Sequence, residues 1–109
     1  MITNEFPKGK IFSFINEIDF AQGSIVSKII LKKETGNVTL FSFDKGQNLS
    51  EHTAPFDAMI QVIEGKAEVS INKVPFILNA GENIIMPANI PHAVDAVEKF
   101  KMVLTMIKS

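Results

Sequence analysis

Residues 46–65 read GQNLSEHTAPFDAMIQVIEG, and residues 81–96 read GENIIMPANIPHAVDA. Each stretch opens on a glycine, ends a β-rich run and carries one of the chain's two histidines. Outward from them the pattern continues. Ala58 to Glu64, the Gly65-Lys66 turn and Ala67 to Ile71 form a hairpin, and Asn72-Lys73 turns the chain into Val74 to Leu78. Asn79-Ala80-Gly81 makes another turn, Asn83 to Met86 a strand, Pro87 to Pro91 a rigid bend, and His92 to Val97 and Phe100 to Ile107 the closing strands. On the N-terminal side, Ser24 to Lys32 and Val38 to Phe43 form a hairpin about Glu34-Thr35-Gly36-Asn37, and Asp44-Lys45-Gly46 breaks it off. Eight or nine short strands, each closed by Gly, Asn, Asp or Pro, predict an all-β sandwich or barrel over residues 23–109.

Residues 1–22 form a different piece. Ile11, Phe12, Phe14, Ile15, Ile18 and Phe20 suit a short helix or an arm, packed on the barrel or on a partner. No internal repeat, linker or low-complexity tract divides the rest, and 109 residues with 46% hydrophobic content suffice for one core. The apolar residues Met59, Ile60, Val62, Ile63, Val103, Leu104, Met106 and Ile107 alternate poorly, so both faces of their strands are expected to be buried. The second buried face suggests a subunit contact, so a homodimer is expected, with a larger two-sided core as the alternative.

Composition narrows the partners. Eleven Lys against twelve acidic residues leave a net charge of −1 and no basic run, which argues against nucleic acid. Pro7, Lys8, Lys10, Glu17 and Asp19 interrupt the first twenty residues, so neither a signal peptide nor a membrane span is expected there and the reading is cytoplasmic. Without cysteine there is no disulfide, thiolate ligand or cysteine nucleophile. With nine Phe but no Tyr, Trp or Arg, a pocket here has few polar handles and no guanidinium fork for carboxylate or phosphate. Lys99, Lys101 and Lys108 read as edge charges that discourage aggregation.

The two quoted stretches resemble the two motifs of the cupins, small single-domain type. In the first motif Gly46, His52, Ala54, Ala58 and Gly65 fall at the family's positions; in the second, Gly81, Pro87, Asn89, His92 and Ala96 do. The resemblance implies a double-stranded β-helix, or jelly-roll barrel, of the RmlC-like kind. Asn89 replaces a glycine, a mild change because Asn accepts a positive φ. Metal-binding cupins present two His and a Glu from the first motif and one His from the second, so this chain resembles them only at His52 and His92. Ala54 and Ala58 stand where two further ligands would be.

Strand alternation turns residues 52, 54 and 58 inward and Glu51, Asp57 and Gln61 outward, unless a bulge intervenes. Asp57, following Pro55-Phe56 in a loop, is the exception to test as a third ligand. The expected pocket is therefore lined by His52, His92, Ala54, Ala58, Phe56 and Met86. Three roles stand for the histidines: contacts to a small organic ligand, including a base; ligands of one divalent transition metal, with an atypical third partner; or relics of the fold. The first makes the chain a small-molecule-binding protein, the second an oxygenase or isomerase type of enzyme.

Overall fold

Turn chemistry sets the strands apart in the computed structural model, which describes residues 5–108; the first four residues of the expected arm and Ser109 lie outside that range. Nine strands follow one 3-10 turn at Phe14–Asn16: β1 (Ile25–Lys33), β2 (Gly36–Phe43), β3 (Asn48–His52), β4 (Asp57–Glu64), β5 (Lys66–Ile71), β6 (Val74–Asn79), β7 (Asn83–Met86), β8 (His92–Asp95) and β9 (Phe100–Ile107). The glycines that punctuate the two motifs take positive φ, +86° at Gly46, +83° at Gly65 and +91° at Gly81. Asn89 joins them at +64°, so the turn keeps its shape without a glycine.

All pairings are antiparallel, in two sheets ordered β1-β2-β9-β4-β7 and β3-β8-β5-β6. This is the all-β cupin jelly roll. The ends of the two motifs are tied together, since Gly46 donates its N–H to Ala96 O at 3.0 Å and Ala96 donates to Gln47 O at 2.9 Å. Between the sheets, Phe43, Ile60, Val62, Phe100 and Met102 meet Ala67, Val69, Leu78 and Val94 in one core. Phe43 and Phe100 stack at its centre with ring centroids 4.6 Å apart. Each such side chain contributes about 1.5–3 kcal/mol of burial, which explains why the inward residues are apolar almost throughout.

The outer face of the five-stranded sheet is also apolar. Leu40, Val103 and Ile30 lie there, and the chain's own N-terminal segment covers them with Phe6, Phe14 and Ile18. The poor alternation of β9 thus has an intramolecular cause: one of its faces meets the barrel core and the other meets the arm. Lys101 fastens that arm. It is 6% exposed, donates from Nζ to Ile15 O at 2.8 Å and pairs with Glu64 at 3.3 Å. The reading of Lys101 as an edge charge is therefore corrected: β9 lies between β2 and β4, and its lysine is buried as a tie. Among the described residues no helix is long and apolar enough to cross a membrane.

Candidate functional site

β3 and β8 lie side by side and set His52 directly opposite His92. The register slips between Leu49 and His52, where three steps on β3 match two on β8, so that Leu49 faces Val94 and His52 faces His92. That bulge brings two residues an odd number apart onto the same inward face. The Nε2 atoms of His52 and His92 approach to 3.2 Å, with the rings nearly perpendicular at 70°. Each ring is held from behind: Nδ1 of His52 lies 2.7 Å from Ser50 O and Nδ1 of His92 lies 3.2 Å from Ile90 O.

These carbonyls favour the tautomer with hydrogen on Nδ1 in both rings over a mixed pair in which one Nε2–H donates to the other Nε2. A carbonyl oxygen only accepts, so each Nδ1 carries the hydrogen and donates it, and each neutral ring is left with a bare lone pair on Nε2. Two lone pairs then converge across 3.2 Å. The arrangement repels itself unless something electron-accepting lies between or in front of the nitrogens: a proton, the N–H or O–H of a ligand, or a metal ion.

The pair opens into a cavity of about 60 Å³ inside the barrel. Ala54, Ala58 and Met86 line it, as the sequence pattern implies, together with Leu49, Ile60, Val94, Met102, Leu104 and Met106. Phe56 and Asp57 are placed elsewhere. They form a groove at the rim with Pro55, Ala88 and Ile107, where Asp57 accepts the Ala88 N–H at 2.8 Å and Lys108 lies over the Phe56 ring at 5.5 Å. Asp57 is opposite Ile107 on the outward side of β4, so its carboxylate serves the β7–β8 bend and does not reach into the cavity. The bend is further tied to the 53–56 loop, because Asn89 donates its N–H to Ala54 O at 2.7 Å.

Burial pushes the His92 pKa below its ordinary 6.5; the neighbouring His52 charge pushes the same way, against the smaller opposing effect of the Ile90 carbonyl. The unfolded chain then binds a proton at a higher pH than the native one, so stability rises with pH in that range. The contribution is present in full above the unfolded value near 6.5 and is lost as the pH falls from there through the depressed native value. Urea unfolding at pH values above and below 6.5 is expected to show this slope in the wild type and a reduced slope in His92→Phe. Equal slopes in the two proteins would remove His92 as its source.

A divalent transition ion fits this site poorly. Such ions are held by three or more nitrogen or oxygen donors. Among the described residues no group of three His, Cys, Asp or Glu comes together. The cavity's remaining wall carries no carboxylate, hydroxyl or amide side chain.

Comparison with known proteins agrees with the geometry. The Cupin domain model matches residues 39–108, and the chain belongs to the cupin family. It is similar to a conserved protein of unknown function from Streptococcus pyogenes, at 35% identity and a TM-score of 0.92 over 97% of this chain and 93% of that one. A Cupin 2 conserved barrel domain protein from Leptotrichia buccalis is 41% identical with a TM-score of 0.87 over 89% of this chain, which spans only 47% of that protein. A cupin superfamily protein from Desulfitobacterium hafniense shares the fold at 20% identity, with a TM-score of 0.89 over 100% of this chain and 99% of that one. Comparison with curated proteins gives no match.

Proposed function

We propose that this cupin binds a small neutral molecule in the barrel cavity, with the ligand's N–H or O–H group directed at His52 and His92 and its apolar part against Leu49, Leu104 and the methionines. The observation that carries this reading is the convergence of two Nε2 acceptors, fixed by Nδ1 bonds to Ser50 and Ile90, at the wall of an otherwise apolar space. A site of that kind selects for a donor, because a ligand without one leaves the buried His92 acceptor unpaired at about 1–3 kcal/mol. Size adds a second filter. The 60 Å³ space is well below the roughly 150 Å³ that takes a benzene, so only a few heavy atoms enter and the remainder of a larger ligand lies in the mouth.

A base role for either histidine belongs to the same reading, since a bare Nε2 accepts the proton that a bound donor presents. The oxygenase or isomerase alternative with a divalent ion draws less support from the donor set. Ligand-observed NMR with matched fragments tests the proposal: short alcohols and small amides, each beside an isostere lacking the donor. The donors are expected to bind the wild type and to lose most of their affinity for His92→Phe, while the isosteres bind neither. Equal binding of donor and isostere, or no binding by any donor, would sink it.

A further inference from the structure

Three of the chain's five methionines, Met86, Met102 and Met106, line the cavity that holds the histidine pair. Two of them have a fixed relation to Ala58. Met86 is its cross-strand partner on β7, and Met106 is its partner on β9. Side chains so placed lie about 4.5–5.5 Å from Ala58 at their Cβ atoms, and the small methyl between them leaves open the space that both thioether arms line. The side-chain donors around the space are therefore two imidazole nitrogens and three thioether sulfurs, all uncharged.

We infer that the cavity binds a soft monovalent ion, Cu(I), held between Nε2 of His52 and Nε2 of His92 and completed by thioether sulfur from Met86, Met106 or Met102. Thioethers select Cu(I) over hard or borderline ions, and imidazole accepts it as well. The 3.2 Å separation of the nitrogens is that of neighbouring ligands on one ion with bonds of about 2.1 Å. Both Nδ1–H groups are turned to backbone carbonyls, the arrangement that orients an imidazole ligand and leaves its Nε2 free to bind. A single charge is also far less costly to bury than a double one in a wall without carboxylates. The same features that fit a divalent ion poorly fit this one.

The inference rests on the cavity's being the binding site, and the tests of the two readings separate. The full chain, purified without metal, is titrated anaerobically with Cu(I) against a chromogenic Cu(I) chelator. Ag(I) serves as a redox-silent counterpart and Zn(II) as a borderline comparator. About one Cu(I) per chain is expected to be withheld from the chelator, with sulfur in the copper X-ray absorption spectrum and Zn(II) retained more weakly. The near-isosteric double variant Met86→Leu, Met106→Leu should weaken Cu(I) about tenfold or more, and His52→Ala should weaken it further. Absence of retention by the wild type, retention unchanged in these folded variants, or preference for Zn(II) would overturn the assignment. Donor fragments that bind where Cu(I) does not leave the organic-ligand reading standing alone; Cu(I) bound without any fragment leaves this one.

Discussion

Gly65→Ala is expected to lose about 3–5 kcal/mol of stability, a large share of the roughly 5–15 kcal/mol that holds a domain of this kind together. Two effects combine at this position. Its φ of +83° lies where an L side chain is strained by about 1–2 kcal/mol. A Cβ there would also collide with Lys99 O and meet the Cα and Cβ of Phe100 at 2.8 Å. Those atoms cannot yield cheaply. They begin β9, the centre of the five-stranded sheet, and Phe100 is fully buried against Phe43. Gly46 is the internal control, with a similar φ of +86° and nothing within 4 Å of the added carbon. Gly46→Ala should therefore lose only the conformational part, about 1–2 kcal/mol. Urea denaturation of both variants decides the matter: coincident midpoints would mean that the close approach of β9 contributes nothing.

The same glycines explain how much of the molecule could be read from its residues. Gly46, Gly65 and Gly81 are needed at fixed intervals because the chain turns there with positive φ, and that need leaves a spacing visible without any structure. The histidines were legible through the resemblance to the two cupin motifs, in which each stands at a set distance from such a turn. Alternation from His52 then turned Ala54 and Ala58 toward the cavity they line.

Leu49 was hidden because a bulge separates it from His52, and a period of two has no way to announce a bulge. Met102, Leu104 and Met106 were hidden differently. Val103 between them is equally buried, under Ile18 of the arm, so β9 shows no apolar face distinct from a polar one. Phe56 marks the limit of alternation from the other side: counting by twos from His52 turns it inward, but the chain leaves β3 at His52 and enters β4 at Asp57, and Phe56 lies in the loop between, while Asp57 itself points outward as alternation has it. Lys101 gave no sign of burial, because its partners Ile15 and Glu64 lie far from it in sequence.

Ala58→Leu is expected to remove ligand binding while leaving the fold intact. The position is 6% exposed, faces the cavity, and is flanked by Met86 and Met106. Leucine adds three carbons there, and they enter the space the ligand or ion would occupy. Extra burial favours the change by up to about 0.8 kcal/mol per carbon, and overpacking opposes it by about 1–3 kcal/mol. Methionines on both sides can repack, so the two terms should come within about 1 kcal/mol of cancelling. Binding has no such compensation. Donor fragments and Cu(I) should each lose about 100-fold or more in affinity, near 2.8 kcal/mol, because the intruding side chain excludes both. Thermal unfolding and the two titrations on one preparation give the answer. A variant that folds normally and binds as the wild type does would show that the site lies outside the barrel. A variant as stable as the wild type, or more so, that binds nothing would show that this small void is kept open for occupancy, at a position where evolution toward stability alone would have closed it.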